Sequence, residues 1–109
     1  ELGNKDVHPH TMDARNIPGC TYCHPQVASV GLTEAKAKEA GYEVRVGKFP
    51  YAAIGKAAVT GHSDGFIKVV AAEKHDELVG VHIIGAKATE MIHEAAVALR
   101  LESTSEELW

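Results

Sequence analysis

The chain has 109 residues, of which 45% are hydrophobic and 24% are charged, and its formal net charge is −4; this length fits one domain. The scattered Lys and Arg residues argue against a nucleic-acid binder, no apolar run reaches the ~20 residues that cross a bilayer, and two cysteines are too few for a disulfide scaffold. No signal-peptide pattern opens the chain, so we expect a cytoplasmic protein. The charge pattern and the short apolar runs predict that neither a nucleic acid nor a membrane is a partner.

The chain begins with a segment that predicts no helix or strand. Residues 1–19 contain scattered Gly, Pro and Asn and show no apolar period, so we interpret them as a linker or extended arm. Residues 20–30 predict a first strand that is interrupted at Pro25. Because proline cannot donate a ladder hydrogen bond, this strand should lie at an edge of its sheet or bend at that point.

The next part of the chain predicts a helix, a strand and a loose turn. A short helix is expected over 34–40, because Thr33 is a favoured N-cap residue and a glycine follows the segment. A second strand is expected over 42–49 and should end at Pro50. Residues 51–63 show no clear period and predict a helical turn followed by a loop.

Two apolar runs, 64–72 and 78–85, are joined by five polar residues and predict an antiparallel hairpin. Neither run alternates strictly between apolar and polar residues, as a strand with one solvated face would. We therefore expect both faces of this sheet to be covered. Helices of this chain can cover one face, and another domain or subunit can cover the other.

The strongest helical pattern spans residues 89–101, with Thr89 as its N-cap or in its first turn. Its apolar residues cover much more than the ~100° stripe of an ordinary surface helix, so the excess predicts a second partner. Thr104 and Glu107 have capping-box spacing, which predicts that another helix begins there. We interpret that late helix start as a sign that the chain is part of a longer protein.

Cys20, Cys23 and His24 spell C-x-x-C-H, which is the pattern for covalent c-type haem attachment. The strand-like flanks and the immediate Pro25 argue against haem. A thioredoxin-type pair would need a helix start beside the thiols, and a zinc site would need further ligands at a second spacing. The interpretation that we favour is a pair of structural thiols in or beside a strand.

Two histidines lie in the predicted hairpin and helix. His82 lies on the second hairpin strand, and we interpret it as a hydrogen-bonded core or interface residue. Glu90 and His93 have the spacing of a di-iron ligand pair, but such a site needs a second copy of the pair and two more helices that carry glutamates. We therefore interpret His93 as part of a solvated or interfacial helix face.

Five segments occur in the order and spacing of a known family; they are 25–34, 48–50, 63–70, 78–85 and 88–92. Together they resemble the C-terminal dimerisation domain of the FAD-dependent pyridine nucleotide-disulfide oxidoreductases, with the dihydrolipoamide dehydrogenases as the nearest branch. The resemblance extends over about residues 17–109. It implies an α+β fold in which an antiparallel sheet has helices packed on one side, as a two-layer sandwich.

The resemblance also implies a function. Residues 1–19 would be the end of an FAD-binding segment, and 20–109 a dimerisation domain truncated before its C-terminal His-Pro-Thr segment. The intact enzyme would convert dihydrolipoamide and NAD to lipoamide and NADH. Its FAD and NAD would be bound by upstream domains of the same chain, so neither cofactor is expected in this fragment.

The same resemblance assigns sites and partners. The general-base His and its Glu would follow Trp109, so no catalytic residue is expected within the chain. Cys20 and Tyr22 would lie near the flavin of the intact enzyme. The partners would be a second subunit and the acyltransferase of a 2-oxo acid dehydrogenase complex. The alternative is a small metal- or c-type-haem-binding protein that uses Cys20, Cys23 and His24.

Overall fold

The computed structural model describes residue 6 and residues 10–108, so residues 1–5 and 7–9 of the expected arm and Trp109 lie outside the described residues. The described residues form five strands and three α-helices: β1 (Gly19–Thr21), β2 (Val27–Gly31), α1 (Glu34–Glu39), β3 (Val44–Pro50), α2 (Gly55–Thr60), β4 (Phe66–Ala72), β5 (Leu78–Ile84) and α3 (Ala88–Arg100). The predicted α+β class is confirmed. Within that part of the chain, each helix is too short or too polar to cross a bilayer.

The strands form one antiparallel sheet in the order β1-β2-β5-β4-β3. The predicted hairpin is confirmed as β4 and β5, which lie next to each other with Val69 opposite Val81. A bulge between Val70 and Ala71 shifts the register near the turn. The most regular apolar segments of the sequence therefore lie inside the sheet, where apolar side chains are best buried.

The main core lies between α3 and the central strands. Ile92 of α3 is 0% exposed and belongs to one cluster with Val30 of β2 and with Val81 and Ile83 of β5. Ala57 of α2 belongs to the same cluster, so α2 and α3 share one side of the sheet. This packing explains the period of the 89–101 segment, because its buried positions recur at helical spacing.

The short helix α1 covers part of the opposite face. Val69 and Val70 are successive residues of β4, so their side chains point to opposite faces. Val69 packs against the α3 cluster, whereas Val70 packs with Ala37 of α1 and with Val79. The sequence predicts helices on one side of the sheet. The structure adds α1, a helix of six residues, on the other side, where it helps to bury Val70.

The segment 20–30 forms two strands rather than one interrupted strand. β1 pairs with β2 in an antiparallel arrangement, with Cys20 opposite Ala28, and the residues between the strands form a loop that contains Pro25. The proline has no N–H to give to a ladder, so the chain turns back there instead of continuing the strand. As expected, this segment contributes an edge of the sheet, namely β1.

The helix starts follow the predicted caps. The backbone N–H of Lys36 donates to the Thr33 hydroxyl oxygen at 3.2 Å, which begins α1. Thr89 lies in the first turn of α3, where its buried hydroxyl donates to Gln26 Oε1 at 2.9 Å. The backbone N–H of Thr104 donates to a carboxylate oxygen of Glu107 at 2.9 Å, and a 3-10 turn over Glu106–Leu108 follows.

The connection from β2 to α1 lies directly against β5. The N–H of Leu32 donates to the carbonyl oxygen of Val79 at 2.8 Å. A Cβ atom added to Gly80 would lie 1.9 Å from the carbonyl oxygen of Leu32. Because that oxygen belongs to the backbone, it cannot move aside as a flexible side chain could. Only glycine fits at position 80.

We expect Gly80→Ala to lower the free energy of unfolding by ~1–3 kcal/mol, because the new methyl group overlaps the Leu32 carbonyl. Gly47→Ala is the matched control, since Gly47 also lies in a strand and an added Cβ there has no neighbour within 4 Å. Urea unfolding followed by circular dichroism measures both variants. Equal stability of the two variants would show that the close approach at Gly80 is not a constraint.

Candidate functional site

The C-x-x-C-H segment forms the edge hairpin of the sheet. Cys20 lies in β1, is half-buried, and packs against the main core, as expected for a structural thiol. Tyr22 follows in the loop and is 79% exposed. Cys20 and Tyr22, the two residues that the family resemblance puts near a flavin, therefore lie at the edge of the molecule, where β1 has no outer neighbour among the described strands.

The other two residues of the motif, Cys23 and His24, each have a contact partner. The exposed thiol of Cys23 donates to the carbonyl oxygen of Pro25 at 2.9 Å. The ring of His24 meets the ring of His62 edge to face, with centroids 5.7 Å apart. Across the described residues, no three His, Cys, Asp or Glu side chains come together as metal ligands would. The motif spans the end of β1 and the loop after it, and both of its thiols are free.

A groove with a volume of about 640 Å³ runs between α3 and the β3–β4 half of the sheet. Its walls and floor are mainly apolar and include Gly47, Phe49, Ile67, Val69, Val81, Ile83, Met91 and Ala95. Arg45, Glu94 and Leu108 also line the groove. The groove exists because α3 covers the central strands and leaves the β3 side of the same face uncovered.

The outer face of α3 is also partly apolar. Val97 is 59% exposed and Leu101, just after the last helical turn, is 71% exposed. The sequence predicts more apolar surface on this helix than one sheet can bury, and the two residues account for that excess. Together with the groove, they form an uncovered apolar region around α3, of the kind that marks an interaction site.

A polar row crosses the opposite face of the sheet. The row contains one residue from each of β3, β4, β5 and β2, which are paired neighbours in the sheet: Lys48, Lys68, His82 and Ser29 in that order. Lys68 Nζ donates to Glu34 of α1 at 3.1 Å, and His82 Nε2 lies 3.1 Å from the carbonyl oxygen of Leu32. Hydrogen bonds from Lys38 and then from Lys68 lower the pKa of Glu34. The row therefore ties α1 to the sheet, and His82 has the hydrogen-bonded role that we predicted.

The segment after α3 is fastened to the β4–β5 turn by Asp76. The N–H of Ser105 donates to Asp76 Oδ2 at 3.1 Å, the Ser105 hydroxyl donates to the same oxygen, and Arg45 forms an ion pair with Oδ1. The N–H of Leu78 donates to the carbonyl oxygen of Ser103 at 3.0 Å. The hydrogen bond from Ser105, followed by that from Arg45, lowers the pKa of Asp76.

Comparison with known proteins identifies the fold's family. The family model described as "Pyridine nucleotide-disulphide oxidoreductase, dimerisation domain" matches residues 17–109. The chain belongs to this dimerisation-domain family. That description implies self-association of the related enzymes.

Individual relatives agree with the family. A dihydrolipoyl dehydrogenase of Rhizobium etli is 55% identical over 106 residues, which are 97% of this chain and 22% of that protein. A dihydrolipoyl dehydrogenase of Zymomonas mobilis is 52% identical over 101 residues, which are 93% and 22% of the two chains. The solved structure of RclA, an HOCl-induced flavoprotein disulfide reductase from Escherichia coli, has a TM-score of 0.78 at 27% identity and covers 83% of this chain and 21% of its own.

This chain therefore spans about a fifth of the length of the curated relatives that it matches. Membership of this family favours a dimerisation domain of a disulfide oxidoreductase over a haem or metal carrier that uses Cys20, Cys23 and His24.

Sequence reasoning missed the groove. It also missed the contacts of Asp76 with Ser105 and Arg45, which we call the Asp76 clasp. The clasp joins residues 29 positions apart, for which no local pattern exists.

We expect the Asp76 clasp to give the domain a pH-dependent stability. The folded-state pKa of Asp76 lies below its unfolded value of about 3.9, so its stabilising effect is complete above that value and is lost as the pH falls through the folded-state pKa. Asp76→Asn should therefore lower the melting temperature at pH 7, and its difference from wild type should shrink on acidification below pH ~4.

The control is Asp64→Asn, which changes an exposed aspartate in the loop before β4. Differential scanning calorimetry between pH 3 and 7 gives the melting temperatures. If Asp76→Asn and Asp64→Asn follow the same curve, the clasp does not stabilise the segment after α3.

Proposed function

We propose that this chain is the subunit-association domain of an FAD-dependent dihydrolipoyl dehydrogenase. The observation that carries the proposal is its 55% identity, over 97% of its length, to a protein of that name. The fold supports it physically, because a groove of about 640 Å³ and the exposed Val97 and Leu101 form an apolar region that a partner would cover.

The intact enzyme would act in the cytoplasm and would convert dihydrolipoamide and NAD to lipoamide and NADH. Its FAD and NAD would be held by other domains of the same chain, with residues 1–19 as the end of the FAD-binding segment. The general-base His and its Glu would follow Trp109. The enzyme would work as a homodimer and serve the acyltransferase of a 2-oxo acid dehydrogenase complex. The RclA relative is itself described as a flavoprotein disulfide reductase, which supports the flavin.

The edge hairpin is the part of this chain that we propose to lie near the flavin. β1, which contains Cys20, is an edge strand among the described residues, so its outward backbone groups have no ladder partner among the described strands. Tyr22 offers an exposed aromatic ring next to that edge. A flat heterocycle with hydrogen-bonding edges fits such a surface, since it can contact a ring and accept backbone hydrogen bonds.

We expect the purified chain to show no NADH-linked lipoamide turnover, because the redox disulfide, the nucleotide sites and the general base would belong to other segments. It should sediment as a dimer at concentrations above its dissociation constant, because association covers the apolar region around α3. Analytical ultracentrifugation and an NADH absorbance assay test the two statements. A chain that stays monomeric at millimolar concentration, or one that turns over lipoamide, would overturn the proposal.

In the intact enzyme, Tyr22→Ala should shift the flavin absorption bands, because it removes an aromatic side chain that we propose to lie near the cofactor. Tyr42→Ala is the matched control, since Tyr42 is also an exposed tyrosine but lies between α1 and β3. Visible absorption spectra of the oxidised enzymes give the comparison. Identical spectra for both variants and the wild type would rule out a position of Tyr22 next to the flavin.

A further inference from the structure

We propose that Gln26 is a positioning residue for the flavin side of the intact enzyme: it fixes the loop 22–26, and with it Tyr22, against the start of α3. The loop joins β1 to β2, and the exposed Tyr22 ring stands at its first position. The inference rests on the proposed function, to which the position of the edge hairpin near a flavin belongs. It names the residue of this chain that holds the hairpin in place.

The edge hairpin has little support from β1. This strand has three residues and pairs only with β2 among the described strands. Tyr22 is 79% exposed, so burial in a core does not set the place of its ring. Short edge segments with few buried contacts are the parts of a fold that open most easily. The position of the loop therefore depends on contacts at its other end, where Gln26 lies.

Gln26 joins the end of the loop to the start of α3 through three hydrogen bonds. Its side-chain Oε1 accepts from the Thr89 hydroxyl at 2.9 Å and from the Thr89 backbone N–H at 3.3 Å. Its carbonyl oxygen accepts from the N–H of Gly85 at 2.8 Å. A backbone N–H can only donate, so the amide oxygen of Gln26, rather than its nitrogen, faces Thr89. The side chain thereby joins residues that are 63 positions apart.

The segment to which Gln26 is bonded is itself fixed. Thr89 is 7% exposed. The hydroxyl of the buried Tyr51 donates to the Ala86 carbonyl oxygen at 2.9 Å, and a Cβ added to Gly85 would lie 2.6 Å from the Tyr51 ring. The start of α3 therefore sits against the core, and a loop that is bonded to it takes a defined place.

Two other contacts of the loop hold it less firmly. The Cys23 thiol donates to a carbonyl oxygen of the same loop, so it fastens the loop to nothing outside it. The His24 ring meets the His62 ring, but both residues are exposed, so water competes with that contact. The bonds from Thr89 are part-buried, and removal of their acceptor leaves two donors without a partner. The bonds to Gln26 therefore have the larger effect on the loop.

Gln26 also serves the helix that it contacts. The side chain of Lys87, at the N-cap of α3, makes no capping hydrogen bond in the described part of the chain, and Gln26 supplies an acceptor in its place. Loss of a cap destabilises any helix, so a change in stability alone does not test the proposal. Thr33 provides the comparison with Thr89, because its hydroxyl caps α1 on the opposite face of the sheet.

The first test measures amide hydrogen exchange in the purified chain. Gln26→Leu removes the acceptor and Thr89→Val removes the hydroxyl donor. Each should speed exchange over residues 20–24 roughly tenfold, as expected when one part-buried hydrogen bond is lost. Gln26→Glu keeps an acceptor at this position and should exchange as the wild type does.

Thr33→Val is the matched control for the exchange measurement, since it removes a hydroxyl at the start of α1 and leaves the contacts of Gln26 in place. Circular dichroism shows whether each variant is folded. If Gln26→Leu does not fold, Thr89→Val decides the test, because it leaves the hydrogen bond from the backbone N–H of residue 89 to Gln26 intact.

The second test uses the visible absorption of the flavin in the intact enzyme. Gln26→Leu and Thr89→Val should shift the absorption bands, as Tyr22→Ala does, because the loop that carries Tyr22 is no longer held. Gln26→Glu and Thr33→Val should leave the bands unchanged. A merely structural role of Gln26 would lower the melting temperature without moving the bands.

The outcomes separate this inference from the function on which it rests. Wild-type exchange over residues 20–24 in both Gln26→Leu and Thr89→Val would overturn the positioning role. A loosened loop with unmoved flavin bands, in an enzyme where Tyr22→Ala does shift them, would overturn the link from Gln26 to the flavin side. If Tyr22→Ala also leaves the bands unmoved, the proposed position of the hairpin itself is wrong, and the inference falls with it.

Discussion

The packing of α3 across β2 and β5 is the contact on which the rest of the structure depends. Ile92 has no exposed surface and belongs to one cluster with Val30 and Val81. The nearby backbones approach closely only because residue 31 is glycine, with φ near +76°, where an added Cβ would lie 2.3 Å from the Val79 carbonyl oxygen. Once this contact is fixed, the direction of α3 and the side that it turns outward are fixed as well.

This placement leaves the apolar surface unevenly covered. α3 and α2 protect the central strands on one side, and Ala37 of α1 protects Val70 on the other. The β3 side of the α3 face stays open as a groove beside Val97 and Leu101. An exposed apolar region of this kind is typical of an interaction site.

Polar contacts hold the periphery of the domain in place. Lys68 and His82 fasten α1 and its connection to the sheet, and Asp76 fastens the segment after α3 to the β4–β5 turn. In the edge hairpin, the Cys23 thiol donates to the nearby Pro25 carbonyl oxygen, and the His24 ring meets the His62 ring after α2. The C-x-x-C-H motif spans the end of β1 and the loop after it. The features that favour association are the exposed apolar residues of α3 and the groove beside it.

The sequence by itself determined the β4–β5 hairpin, the caps at Thr33 and Thr104, the span of α3 and its surplus of apolar residues, because each is a local pattern of period or capping. The family followed from five ordered segments. Only the tertiary structure decided that 20–30 folds back on itself, that α1 lies on the face opposite α3, and that a groove opens beside β3. Each of these depends on which distant backbones meet, and pairs such as Gly80 with Leu32 or Asp76 with Ser105 leave no periodic trace in the chain.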